Sequence, residues 1–238
     1  VKKVVICGFS LIILCFSILA DVGTGRNEEK AVATPFTKVV LAEEIQLDVP
    51  LLNQMDSPRL YNGCEVTSLA MLLQYWGIDV TKNKLAEQIP RVPLQYGDGK
   101  KGNPNMGFVG NMEDGPGLGV YQGPIFYLAN KHISEQLMVQ NLSNHPFSSI
   151  LKKVSQGLPV WVITTSSFSP IPDFETWSTP QGTVGITYKM HSVVITGYDQ
   201  EYIYLNDPYG TKNKKVDREK FIASWEQMGS QAIVIERK

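Results

Sequence analysis

The chain is short of the residues that bind metals and build redox centres. Its 238 residues include three cysteines and three histidines. Cys7 and Cys15 lie in an N-terminal apolar stretch, which leaves Cys64 alone in the rest of the sequence. A single cysteine forms no internal disulfide, and no Cys-x-x-Cys pair is present to hold zinc or to cycle between thiol and disulfide. No side chains stand at metal-ligand spacing, so no metal and no cofactor is expected. An excess of charge is missing as well, since the net charge is −1. That gives no reason to expect nucleic acid or an anionic membrane surface as partner. No repeat period or heptad run is visible. The stretch "DGPGLGVYQG", residues 114–123, has the glycines of a nucleotide loop but neither the Gly-x-Gly-x-x-Gly order nor a phosphate-binding lysine.

What is present suits one large globular domain or two small ones, with 43% of residues hydrophobic. The N-terminus is set apart. Lys2 and Lys3 precede an uncharged apolar run of 17 residues, 4–20. Basic residues, an apolar core and then "SILAD" read as an export signal. Cleavage after Ala20 competes with retention as a membrane anchor, because Ile18 is a poor residue three places before the cut. The run is at the short edge of what spans a bilayer. Either way the domain is expected outside the cell, free or attached through residues 4–20 to the outer face of the cytoplasmic membrane. Residues 21–44 are polar and mixed in charge, and read as a flexible linker. The folded domain is expected over 45–238.

Within it, residues 45–50 alternate as a strand. From Glu65 the apolar residues Val66, Leu69, Ala70, Leu73 and Trp76 recur at helical spacing, with Gly77 as the stop. Met71 and Leu72 widen the apolar side, so this helix is expected to be largely buried. Thr81 caps a short second helix over 82–89. Residues 97–123 hold nine of the twenty glycines and read as a long irregular loop lining a site. Helices are expected over 124–132, 146–156 and, capped by Asp217, 218–228. "LPVWVITT", 158–165, reads as a buried strand, followed by a polar loop to about 187. "YKMHSVVITGYD" and "EYIYLNDP" read as a hairpin, and "AIVIE" as a last strand. Helices first and strands later argue for an α+β fold. Trp161, Trp177, Tyr61 and Tyr96 are available to line a cleft or fill a core.

Cys64 falls at the N-terminal edge of the first helix. Unpaired N–H groups and the helix dipole favour an anion there and lower a thiol pKa. The alternative is a small buried hydrophobe. A nucleophilic thiol works best beside an imidazole. His132 and His145 fall at surface positions, whereas His191 interrupts the apolar strand "MHSVVITG". A three-residue hairpin loop, 198–200, sets Gly197 opposite Glu201 and His191 opposite Asp207, where a carboxylate orients the ring. A two-residue loop shifts the register by one and brings Asn206 forward instead. Gln54, just past the first strand, carries an amide that with the Cys64 backbone N–H makes an oxyanion hole.

The series "LDVPLLNQ…NGCEVTSLAMLL…MHSVVITGYD…YIYLNDP" resembles the papain-like cysteine peptidases of the bacteriocin-processing, double-glycine-leader type. It is most similar to their exported stand-alone relatives in Gram-positive bacteria. The motifs run across residues 46–209. The resemblance implies Cys64 as nucleophile, His191 as general base and acid, Asp207 as the orienting third member and Gln54 as the oxyanion donor. It implies N-terminal helices carrying the cysteine, packed on an antiparallel sheet carrying the histidine. The chain departs from that family in two ways. It has no ATP-binding or polytopic membrane region, so the leader-peptide substrate does not carry over. Glu65 stands after the cysteine where many papain-like enzymes have glycine. Its carboxylate either raises the thiol pKa or faces away on the first turn.

Three functions compete. One is a thiol peptidase acting on a peptide or protein through a thioester. A second is a Cys-His hydrolase of peptidoglycan stem peptides. The third is a papain-like domain that binds a peptide or partner without cutting it.

Overall fold

The computed structural model describes residues 42–238. The expectations for a signal or anchor over 1–20, and for most of the linker over 21–44, lie outside the described residues. Along the chain run strand β1 (Ile45–Gln46), helix α1 (Cys64–Tyr75) and helix α2 (Lys82–Gln88). Three short strands follow, β2 (Arg91–Val92), β3 (Phe108–Gly110) and β4 (Gly117–Gly119), then α3 (Gln122–His132), β5 (Leu137–Asn141) and α4 (Phe147–Ser155). The second half holds β6 (Val160–Thr165), β7 (Glu175–Thr179), β8 (Gly182–Ile186), β9 (Met190–Tyr198), β10 (Tyr202–Asp207), β11 (Thr211–Asp217), α5 (Arg218–Gln227) and β12 (Ala232–Arg237). Among the described residues no helix is long and apolar enough to cross a membrane.

The main sheet has the order β11-β10-β9-β6-β12-β5, with β1 added to β9, and every pairing in it is antiparallel. Both of its faces are covered. Trp161 and Ile163 of β6 and Ile233 and Ile235 of β12 pack with the apolar residues of α1, α2 and α3. The residues between them, Val160, Val162, Ala232 and Val234, join Val193, Ile195 and Ile203 against Phe147 and Ile150 of α4 and Phe221 and Trp225 of α5. Side chains alternate between faces along a strand. A sheet covered on both sides therefore needs unbroken apolar runs, and "VWVI" and "AIVI" supply them. This is the α+β arrangement read from the sequence, with the first helix buried from Cys64 to Leu73.

Four features differ from the sequence reading. The glycine-rich stretch is not wholly irregular, because β3 and β4 pair within it and β2 joins β3 in parallel. The polar loop before residue 187 contains the β7–β8 hairpin, whose Trp177 and Ile186 pack on Val109 and Leu118. β5 and β11 are edge strands that the sequence reading did not mark, and β11 has little apolar signal. β11, "TKNKKVD", presents lysines along the sheet edge, a composition that discourages further strands from adding there. The β9–β10 hairpin also has a wider turn than expected, pairing Tyr198 with Ile203.

Phe221 is fully buried on α5, where it meets the Phe147 and Phe168 rings at 6.1 and 6.5 Å. Phe221→Ala is expected to destabilise the chain by about 3–5 kcal/mol in urea unfolding, by removing buried contacts and leaving a cavity. A loss under about 1 kcal/mol would show that this layer is loosely packed.

Candidate active site

The turn before α1 is built for close approach. Tyr61 and Asn62 donate their backbone N–H groups to Glu113 and Met112 O, and Gly63 N–H returns to Leu60 O at 3.0 Å. A Cβ on Gly63 would stand 2.4 Å from Leu60 Cβ, so only glycine fits. The Thr67 hydroxyl donates to Gly63 O at 2.7 Å, and no side chain caps the helix N-terminus. Cys64 is the first helical residue.

Its thiol does not have the low pKa expected from the helix end. Cys64 is buried, and its sulfur lies 3.4 Å from Glu65 Oε2. Burial first, and then the Glu65 charge, push the thiol well above its usual value, while the Ser192 backbone N–H pulls the other way. Desolvation and a neighbouring like charge outweigh the helix dipole here. Glu65 therefore does not face away on the first turn. It is fully buried, and its Oε1 accepts the Val120 N–H at 2.9 Å. The Trp161 indole N–H donates to its backbone oxygen at 3.0 Å. Burial raises the Glu65 carboxyl to about 7. Gly119 makes room for it, since a Cβ there would stand 2.2 Å from Glu65 Oε1 and 2.1 Å from Met190 Cε.

His191 and Asp207 are brought together, by a different register from the one expected. His191 Nε2 lies 2.9 Å from Asp207 Oδ1, with both side chains buried. Gly197 faces Tyr204, not Glu201. Continued at that register, the pairing would put Asp207 opposite Val194, on the wrong face of the sheet for His191. A β-bulge between Tyr204 and Leu205 shifts the pairing by one, so that Asn206 faces Val194. Asp207 then shares a face with His191 as a diagonal neighbour. Asn206 turns to the other face, where its amide donates to Val49 and Pro50 O. Asp207 also opens the turn into β11, accepting Tyr209 N–H at 3.1 Å.

Further residues complete the cluster. Lys214 Nζ donates to Asp207 Oδ2 at 2.9 Å. Burial alone would raise the Asp207 carboxyl, but the hydrogen bond and charge of His191, and then the hydrogen bonds from Lys214 and the Tyr209 N–H, hold it far below the usual carboxylate range. The Tyr209 ring stacks on His191 with centroids 5.3 Å apart, and the Phe168 ring sits 6.0 Å away from His191. Burial, and next to it Cys64, raise the Tyr209 hydroxyl above the usual phenol value. Cys64 and His191 form no hydrogen bond with one another; the sulfur lies beside the Ser192 N–H, in the peptide that follows His191.

Gln54 is buried, and its amide N–H₂ donates to Leu60 O at 3.3 Å and Tyr61 O at 2.9 Å. Those two carbonyls fix the amide's orientation, because the flipped form would set oxygen against oxygen. Gln54 Oε1 is buried with no hydrogen-bond partner. In this arrangement Gln54 braces the turn that leads into Cys64. Of the aromatics left open by the sequence, Trp161 and Trp177 are buried packing residues, whereas Tyr61 is exposed. Among the described residues no group of three or more His, Cys, Asp and Glu side chains converges as metal ligands would.

Residues 46–233 match the model of the peptidase C39-like family. The chain belongs to that family. Two Bacillus proteins stand near this C39-like chain. It is 58% identical over 191 residues to the uncharacterized protein YvpB of Bacillus subtilis (strain 168), covering 80% of this chain and 76% of the relative. A crystal structure of a C39-like peptidase from Bacillus anthracis superposes with a TM-score of 0.78 at 46% identity, covering 83% of this chain and 99% of that one. A double-glycine-motif protease from an AMS/PCAT transporter, solved in complex with the leader peptide, reaches a TM-score of 0.40 at 19% identity over 80% of this chain and 91% of that one, too loose a likeness to carry an argument. The C39-like fold is thus papain-like, with the cysteine-bearing helix against the histidine-bearing sheet.

Sequence reasoning missed Lys214, Tyr209 and Phe168 at this C39-like site. Lys214 lies on an edge strand with no apolar period, and Tyr209 and Phe168 lie in loops, so no local pattern marked them. The "DPYG" turn after Asp207 was the one available hint.

Glu65 has a consequence for stability. Folding raises its pKa from 4.5 to about 7. The folded chain therefore keeps a proton that the unfolded chain has released, and stability falls as pH rises between those values. The loss is about 3 kcal/mol. Glu65→Gln is expected to flatten that fall in urea unfolding between pH 5 and 8. Equal slopes in parent and variant would show that Glu65 ionises as easily folded as unfolded.

Proposed function

We propose that the chain is a thiol peptidase in which Cys64 attacks a peptide carbonyl. The observation that carries the reading is the bond of His191 Nε2 to Asp207, which leaves Nδ1 free on a ring whose following peptide lies against the Cys64 sulfur. In that reaction the Cys64 proton passes to His191 Nδ1 and Sγ bonds to the substrate carbonyl carbon. The imidazolium then gives the proton to the departing amine, and water, deprotonated by the same ring, hydrolyses the thioester. Asp207 holds the ring and stabilises its charged form. The Cys64 backbone N–H at the start of α1 meets the developing oxyanion, and the Gln54 amide joins it if the 3.3 Å contact to Leu60 O gives way.

The substrate is a peptide or protein presented outside the cell, since Lys2, Lys3 and the apolar run after them support export or anchoring. A second reading, a peptide-binding domain that does not cut, is favoured by the buried, proton-holding Cys64 thiol.

Hydrolysis of a mixed peptide library by the full chain, read by mass spectrometry, separates the two. Cys64→Ala and His191→Ala are each expected to lower the rate by about 10³-fold or more. Asp207→Asn, which keeps an acceptor oxygen, is expected to lose less than Asp207→Ala. Library binding with no cleavage by the parent would favour the second reading.

A further inference from the structure

We propose that Glu65 is a positioning residue for Cys64: as a carboxylate it holds the thiol protonated and turned away from His191, and as a neutral acid it releases the thiol for the ion pair with His191. This deepens the peptidase reading and rests on it.

The geometry carries the argument. Glu65 has no solvent exposure, and its two oxygens are committed to opposite partners, Oε1 to the Val120 N–H at 2.9 Å and Oε2 to the Cys64 sulfur at 3.4 Å. Room for this arrangement comes from Gly119, where any Cβ would strike both Glu65 Oε1 and Met190 Cε. The groups around the carboxyl from other elements are few. The segment after β4 offers the Val120 N–H, β6 reaches only the Glu65 backbone through the Trp161 indole, and β9 offers the neutral Met190. The turn before β11 contributes the Tyr209 hydroxyl, whose own titration feels Cys64, Tyr61, Asp207 and Glu65. His191 is bound to Asp207, which Lys214 also holds. Among the described residues no Lys, Arg or His forms an ion pair with Glu65. Its charge state is therefore set first by burial, and then by the backbone N–H of Val120 and by the sulfur.

Two states follow. With Glu65 ionised, the S–H donates to Oε2, and a thiolate at 3.4 Å from a buried carboxylate is disfavoured. With Glu65 neutral, its O–H donates to sulfur, the thiol proton moves to His191 Nδ1, and a thiolate–imidazolium pair forms with the total proton count unchanged. The carboxyl, raised by burial to about 7, changes state within an ordinary extracellular pH range. The peptidase would then be an acid-side enzyme.

The test is the rate of iodoacetamide alkylation of Cys64 in the full chain from pH 4.5 to 9.5, read by peptide mapping so that Cys7 and Cys15 are counted separately. Parent, Glu65→Gln and His191→Ala are compared. The parent rate is expected to fall at least threefold as pH rises from 6 to 8, before the ordinary thiol titration lifts it again. Glu65→Gln is expected to lose that fall, and His191→Ala to be slow throughout the acid range. If the parent and Glu65→Gln share one profile shape while His191→Ala differs, the Glu65 proposal is overturned and the peptidase reading stands. If the parent and His191→Ala coincide, the ion pair does not exist and both are overturned. Should Glu65→Gln fail to fold, the pH-difference infrared spectrum of the parent decides. A neutral-carboxyl band that disappears together with the fall in rate, and is shifted in Cys64→Ser, supports the proposal; a fall in rate without such a band overturns it.

Discussion

The site depends on the register of one strand. β9 is buried along its whole length, hydrogen-bonded to β6 and then β1 on one side and to β10 on the other. A strand so enclosed cannot slip, because a shift of one residue would exchange its two faces. That fixes His191 on one face and sets Ser192, whose N–H meets the Cys64 sulfur, one residue on. The pairing of β9 with β10 carries one irregularity. The bulge between Tyr204 and Leu205 turns Asp207 to the histidine and Asn206 to the N-terminal segment. A single extra residue in β9, Thr196, thus decides whether Asp207 or Asn206 faces His191.

The charges at the two ends of the cluster act in the same direction. Lys214 neutralises Asp207 at one end, and a buried carboxyl sits beside the thiol at the other. Each, when charged, disfavours a thiolate–imidazolium pair. A helix N-terminus alone would have stabilised the thiolate, but desolvation of Cys64 and the proximity of Glu65 are larger. In the reading proposed here the ion pair is conditional on Glu65 losing its charge. In a papain-like site with glycine after the cysteine, no such condition arises.

Much of this was legible in the sequence. The periods of Val66 to Trp76, the unbroken apolar runs of β6 and β12 and the caps at Thr81 and Asp217 marked elements that the structure contains. His191 stood out because a polar ring interrupted an apolar run. Other features were hidden for physical reasons. A bulge has no sequence signature, so the hairpin register was misjudged even though the His191–Asp207 contact forms. Edge strands such as β11 need little apolar surface. The fate of Glu65 depended on Gly119 and Val120, more than fifty residues away, which no local pattern connects to it.

The central claim is that Cys64 forms a covalent acyl bond with substrate. The most direct measurement is rapid-quench mass spectrometry of the full chain mixed with an activated peptide ester, followed by peptide mapping. The account predicts an acyl group on Cys64 that appears within the first turnover, decays by hydrolysis, and is absent from His191→Ala on the same time scale. An unmodified Cys64 while ester is consumed, or equal acylation in parent and His191→Ala, would contradict it.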